Sequence, residues 1–289
     1  MSEKSEKKKI KVGLEWLAVC SGCEISLLDL HERLLTVLDA IDIVYCPVLM
    51  DVKKVPEVDV FIVTGALRNK ENKEKIEEIR KKCKILIAMG SCATHGGVPG
   101  LANVYTNDYL WEVYHVRPNT VELLENVQPL DEVVKVDYYI PGCAPPADTI
   151  FYVLSNLLAG KEIKYSVSTV CEECERERKE KKIETLKPLC SMEAIDPKAC
   201  LLEQGIFCAG PATMAGCGAL CPKSSMGCRG CFGPPQKVLD QGAKLISAIA
   251  PICEKPELIK DPLGHFYRQT LAKSLLKNRI KKRGRTVKE

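Results

Sequence analysis

Sixteen cysteines against only four histidines constrain this 289-residue chain more than any other feature. The opening segment, MSEKSEKKKI, is a polar arm of mixed charge with no apolar leader and no twin-arginine pair, so the expected compartment is the cytoplasm. Thiols stay reduced there, and sixteen of them are poorly explained as disulfides. Metal ligation, redox chemistry and core packing are the remaining uses. The few histidines cannot complete mixed sites for most of the thiols, and an all-thiolate donor set favours iron–sulfur clusters or zinc.

The chain is 46% hydrophobic and 28% charged, with the signs nearly balanced, which suits a folded chain of one large or two ordinary domains. No run of eighteen apolar residues occurs, so no membrane-spanning helix is expected. The formal net charge of +4 belongs to one end: residues 271–289 hold eight Lys or Arg against one Glu, and the rest holds 34 basic against 37 acidic residues. That pattern describes a basic tail, solvated or binding a partner protein, and gives no expectation of nucleic acid.

Strand-like and helix-like segments alternate through the first half. An apolar run in Lys9–Cys20 is followed by helical spacing over Ile25–Ala40, then by strand-like Ile41–Met50 and Val58–Thr64. Asn69–Lys82 reads as a surface helix and Ile85–Met89 as a strand. A helical or irregular stretch spans Tyr105–Asn126, Val133–Ile140 reads as a strand, and Ala147–Leu158 as a helix. Repeated βαβ units predict an α/β fold with a flavodoxin-like parallel sheet. Beyond about residue 165 the periodicity stops: Val170–Pro235 carries nine cysteines among many Gly and Pro. Such a segment needs metal ligation to hold it. Gln236–Ala250 and Gly264–Ile280 read as helices docking back on the body. The expected division is 1–165 for the sheet domain and 166–289 for an irregular, cluster-held domain that includes the basic tail.

Cys20 and Cys23 lie in V-C-S-G-C-E after the first strand, Cys92 in M-G-S-C-A-T after Ile85–Met89, and Cys143 in I-P-G-C-A-P-P after Val133–Ile140. The carboxyl ends of parallel strands share one sheet edge, where ligands bind, so these four thiols are predicted to converge. Gly22, Gly90 and Gly142 beside them allow close backbone approach. Four thiolates match a 4Fe-4S cluster, one per iron. Buried structural cysteines and a zinc site are the competing readings.

These motifs, with the later C-x2-C-F-G-P-P, resemble the small subunit of nickel–iron hydrogenases from Lys9 to about Pro235. The resemblance implies a proximal cluster on Cys20, Cys23, Cys92 and Cys143, receiving electrons from a nickel–iron site on a separate large subunit. Glu24 then reads as a carboxylate at the subunit contact, on a proton route, or as an acid favoured by the dipole of a helix's first turn. The same resemblance implies a distal cluster on Cys171, Cys174, Cys200 and Cys208, and a medial one on Cys217, Cys221, Cys228 and Cys231. Many relatives have His in place of Cys171 and Pro in place of Cys221. Thiolates at both positions imply three 4Fe-4S clusters of low potential. No catalytic residue is expected on this chain.

Within the family, the all-cysteine sets resemble the methyl-viologen-reducing, deazaflavin-non-reducing hydrogenases of methanogenic archaea. The C-E-E-C-E-R-E-R run at Cys171 favours them over the deazaflavin-reducing type. That resemblance implies electrons passing to a small iron–sulfur subunit and on to heterodisulfide reductase. Two rivals are a quinone-reductase cluster subunit of the respiratory complex I type, which lacks the second cysteine-rich region, and a redox-silent zinc-held scaffold.

Of the remaining cysteines, Cys46 and Cys83 flank apolar runs and read as core, Cys190 competes for the distal set, and Cys253 has no partner by spacing. His95 reads as a satisfied turn histidine or a donor to a cluster sulfur. Lys223 and Arg229 read as solvated, or as charges raising the potential of the medial site.

Overall fold

The computed structural model describes residues 9–115, 121–179, 181–187 and 195–284. Its centre is a five-stranded sheet of β1 (Ile10–Trp16), β2 (Ile41–Tyr45), β3 (Val58–Thr64), β5 (Cys83–Met89) and β7 (Tyr138–Ile140). The order is β2-β1-β3-β5-β7 and every pair is parallel, the doubly wound arrangement expected. Between β3 and β5 the chain makes the short β4 (Leu67–Asn69) and then α3 (Lys70–Lys82). Both sheet faces are covered, as the near-continuous apolar strands require. Along β3, Phe61 and Val63 point to one core while Val60 and Ile62 point to the other. The first core is closed by Ile76 and Ile79 of α3, each fully buried, a contribution of about 2–3 kcal/mol per side chain. Asn69 caps α3 by accepting from the Asn72 N–H at 2.7 Å. On the opposite face lie α1 (Gly22–Leu28), α2 (Glu32–Ala40) and α6 (Ala147–Leu158).

Several expectations need correction. The helix expected over Ile25–Ala40 is broken at Asp29–His31, where His31 takes φ 50° and Leu30 is buried; no Gly or Pro marks the break. Of the strand expected over Val133–Ile140, only Tyr138–Ile140 pairs, because Asp137 turns inward to accept from Arg80 at 2.6 Å and from the Leu86 N–H at 2.8 Å. Ile41–Met50 likewise shortens to β2. The stretch read as helical or irregular holds α5 (Asn107–Val113) and then β6 (Leu123–Gln128), which pairs antiparallel with β4.

The cysteine-rich part contributes α7 (Val170–Glu173), α8 (Leu220–Lys223) and α9 (Gln241–Ile249) around a third core that includes Leu202, Ile206, Leu245 and Leu271. That core also takes in Val104 from the segment after β5. The helix expected over Gly264–Ile280 is only α10 (Pro262–Phe266) and a 3-10 turn at Leu271–Lys273. Tertiary bonds override helix propensity there. Lys273 pairs with Asp131, Lys277 with Glu132, and Lys282 with Glu125, while the Arg283 N–H donates to the Val104 carbonyl at 2.7 Å. The described tail is therefore a strap bound to the chain's own acidic residues. No described helix is long and apolar enough to cross a membrane.

Candidate metal centres

The register of the sheet brings the first four cysteines to one edge. Trp16 of β1 pairs with Thr64 of β3, Thr64 with Met89 of β5, and Met89 with Ile140 of β7, so four strands end in one row. The loops leaving β5 and β7 are tied across that edge: the Gly90 N–H donates to Ile140 O at 2.8 Å and the Ser91 N–H to Gly142 O at 2.7 Å. Cys92 then opens α4 (Ser91–His95), Cys143 comes just after β7, and Cys23 enters α1. The four sulfurs lie within electrostatic reach of one another. Burial pushes the Cys23 thiol far up, with Glu24, Cys92, Cys143 and Cys20 adding to it. Cys92 is pushed up to about 12 by burial, then by Cys143 and Cys20. Cys20, Cys92 and Cys143 line a cleft of about 770 Å³ whose other walls include Val98, Leu101, Tyr105 and Trp111.

Gly90 is required at this site. Its φ is 88°, and a Cβ there would stand 2.3 Å from the Cys23 sulfur. Glu24, in the first turn of α1, accepts a hydrogen bond from the Thr64 hydroxyl through Oε1, while its buried Oε2 has no partner. It is thus held to the strand-end row beside Cys23.

The second and third sets lie on loops. Cys171, Cys174, Cys200 and Cys208 line one small cavity with Arg176 and Arg178. Burial pushes Cys171 up to about 11 against the opposing charge of Arg178, and Cys208 up to about 12. Gly210 packs against the sulfurs of Cys171 and Cys208: a Cβ would lie 3.3 and 3.5 Å from them. Burial pushes the Cys217 thiol up, opposed by the nearby backbone of Ala219 and Leu220, with Cys221 adding to it. Burial pushes Cys231 up to about 12, and both Cys221 and Cys217 act on it. Cys228 is pushed up by burial, then by Cys208, with Cys231 a smaller cause. Cys171, Cys174, Cys200 and Cys208 thus share one cavity, Cys217, Cys221 and Cys231 act on one another, and Cys228 lies between Cys208 and Cys231; Cys190 lies outside the described residues.

These groups suit iron–sulfur clusters in donor chemistry and in shape. All the candidate donors are thiols, and glycine at 90 and at 210 leaves room against the sulfurs. Among the described residues, no three His, Cys, Asp or Glu side chains gather as a single metal ion would gather them. One zinc ion would draw its thiolates to about 2.3 Å from a common point.

Other candidates resolve plainly. Cys46, Cys83 and Cys253 are buried, the last two within core clusters, as packing thiols. His95 bonds the Thr94 hydroxyl at 2.7 Å through Nδ1, and burial lowers it to about 3, so it is the satisfied turn histidine. Lys223 pairs with Glu175 at 3.5 Å on the surface. Arg229 acts on Cys143 of the first group, so its charge bears on the proximal position. Arg176 was not singled out from the sequence. Its guanidinium donates to the carbonyls of Pro222, Asp196 and Ala199 and to the Ser225 hydroxyl, bracing the loops of Cys200 and Cys221. In an R-E-R run nothing separates such a half-buried brace from a solvated charge.

The family of the NADH ubiquinone oxidoreductase 20 kDa subunit matches residues 20–157, which hold the sheet from β2 onward and the first cysteine group. A crystal structure of an NAD+-reducing NiFe hydrogenase in the H2-reduced state superposes with a TM-score of 0.51 at 36% identity, covering 55% of this chain and 96% of that one. An F420-non-reducing hydrogenase subunit of Methanothermobacter marburgensis is 39% identical over 96% of this chain and 99% of its own length. Its counterpart in Methanocaldococcus jannaschii, a subunit of the vhu F420-non-reducing hydrogenase, is 42% identical over 94% and 98%. With the parallel sheet and its cysteine edge, these similarities define the class: the small subunits of nickel–iron hydrogenases, components of oxidoreductases acting on hydrogen. Within that class the chain belongs to the family of these F420-non-reducing hydrogenase subunits.

Proposed function

We propose that this chain conducts electrons from dihydrogen oxidation, carried out at a nickel–iron site on a partner large subunit, through three 4Fe-4S clusters to a low-potential acceptor. The proximal cluster is held by Cys20, Cys23, Cys92 and Cys143, the medial by Cys217, Cys221, Cys228 and Cys231, and the distal by Cys171, Cys174, Cys200 and Cys208. The division near residue 165 separates the part holding the first cluster from the part holding the other two, and the assembly works in the cytoplasm. When bound, such clusters supply one-electron transfer at potentials set by ligand type, burial and hydrogen bonds.

One observation carries this reading: the three cysteine groups touch in series. The Cys228 N–H bonds the Cys208 sulfur at 3.2 Å, and Cys143 lies close enough to Cys231 to act on it. These contacts support a series from first group to medial to distal, with a backbone N–H aimed at sulfur where Cys228 meets Cys208. The apolar cleft over Cys20, Cys92 and Cys143 is the face we assign to the large subunit. The distal cavity, rimmed by Arg176 and Arg178, is the end we assign to a small iron–sulfur subunit that feeds heterodisulfide reductase. The relatives being F420-non-reducing supports an acceptor other than F420.

Metal analysis and EPR of anaerobically purified protein, with and without dithionite, test the reading. About twelve irons per chain with interacting reduced-cluster signals are expected. About four irons would confine the chain to a single cluster, and zinc without iron would overturn electron transfer.

A further inference from the structure

Two consecutive residues of the C-terminal segment, Gln269 and Thr270, reach two of the cysteine groups at once. Both are buried, with 3% and 4% exposure. The Ser91 hydroxyl donates to Gln269 Oε1 at 2.8 Å, which leaves the amide nitrogen as the donor on the side of Cys143, a thiol on which Gln269 acts. Ser91 precedes Cys92, and its N–H bonds the carbonyl of Gly142, the residue before Cys143. Gln269 therefore closes a ring across two ligand-bearing segments that lie far from it in sequence. Thr270 donates to Gln241 Oε1 at 3.2 Å. The Gln241 amide in turn donates to Gly230 O at 3.0 Å, between Cys228 and Cys231, and to the Thr213 hydroxyl beside the Cys228 sulfur.

We propose that Gln269 is a positioning residue for the proximal site, its amide N–H donating to Cys143, and that with Thr270 it forms a polar bracket fixing the proximal and medial sites relative to each other. The inference rests on Cys143 being a cluster ligand. A buried amide held by a hydroxyl cannot turn its donor away from the sulfur without leaving polar groups unpaired. A donor to a cluster sulfur favours the more negative, reduced form and so raises the potential. Local spacing favours a plain helix over this segment, and these bonds are the reason it is not one.

The test is an EPR-monitored redox titration of the intact hydrogenase complex, with iron counted per chain. The proximal signal is assigned by its loss in Cys92→Ala. Gln269→Leu, which removes the donor, should shift the proximal potential downward while iron content and the distal signal hold. Gln269→Glu keeps the shape and replaces the donor by a carboxyl oxygen, so it should shift the potential further in the same direction. Thr270→Val should perturb the medial signal and leave the proximal potential in place. Unchanged proximal potential in both Gln269 variants at full iron content overturns the proposal. Loss of the proximal cluster alone in Gln269→Leu supports positioning; if that variant loses all its iron, the shift in Gln269→Glu decides. A wild-type complex with no proximal signal would instead refute the ligand assignment.

Discussion

The backbone N–H of Cys228 donates to the sulfur of Cys208 at 3.2 Å, although we assign the two residues to different clusters. Cys143 likewise acts on Cys231. In the relay we propose, spacing at the Cys208–Cys228 joint is therefore set by backbone. Substitutions that displace a sulfur should damage one site, while those that move the Cys228 peptide should damage two.

Gly90→Ala should empty the proximal site alone. Its φ of 88° already costs a residue with a Cβ about 1–2 kcal/mol, and the methyl would lie 2.3 Å from the Cys23 sulfur. Cys23 is buried and cannot yield easily. Iron should fall by about four per chain with the medial and distal EPR signals intact. Full iron content would show that Cys23 is not a ligand.

Cys221→Pro should convert the medial cluster to a 3Fe-4S form, with about one iron lost per chain and a new EPR signal in the oxidised state. Cys221 is the second residue of α8, a position that tolerates proline because its N–H lies in the unpaired first turn. Its carbonyl still accepts from the Ser224 and Met226 N–H groups, so the loop should survive. No oxidised-state signal of that type would remove Cys221 from the ligand set.

Legibility differed between the two halves for a physical reason. Val58–Thr64 and Ala147–Leu158 were bounded to the residue because strand and helix each bury a periodic face. Convergence of Cys20, Cys23, Cys92 and Cys143 was expected from parallel strands ending together, and the Trp16–Thr64–Met89–Ile140 row supplies that common edge. The bracket at Gln269 and the strap at Lys273 were illegible, since each is a tertiary bond between segments more than a hundred residues apart. The same bonds undo the helix that local propensity favours over Gly264–Ile280. Arg176 was missed because its partners are carbonyls, which carry no sequence signal.

The iron-free chain should lose stability in alkali. Burial holds Cys171 at about 11 and Cys92, Cys208 and Cys231 at about 12, while thiols of the unfolded chain ionise near 8.5. The folded iron-free state then keeps protons that the unfolded state releases. Its stability is full below about pH 8.5 and falls as pH climbs toward the folded values. Cluster loading needs thiolates, so it should release protons and tighten with rising pH. Denaturant midpoints of iron-free protein at about pH 7.5 and about pH 10 check the sign, and equal midpoints would contradict it.

Finally, the charges of the C-terminal strap should differ in worth according to their partners. Lys273 pairs with Asp131, whose side chain is 18% exposed, and it also reaches the Thr94 carbonyl at 3.4 Å and lies over the Tyr139 ring at 5.6 Å. Asp131 Oδ1 is buried without a partner, so removing Lys273 would leave a half-buried carboxylate with only the Tyr139 hydroxyl, a neutral donor, at 3.1 Å. Lys281 is exposed in the same strap. Lys273→Ala should therefore cost about 1–2 kcal/mol and Lys281→Ala less than about 0.5 kcal/mol. In a chain of this size the first loss lowers Tm by about 2–8 °C. Added salt should narrow the gap only slightly, because screening reaches half-buried pairs poorly. Melting curves of the iron-loaded wild type and both variants at low and high salt measure this. Equal Tm losses for the two lysines would mean the tail is held by bulk attraction between its basic charge and the acidic surface, with no specific bond from Lys273 to Asp131.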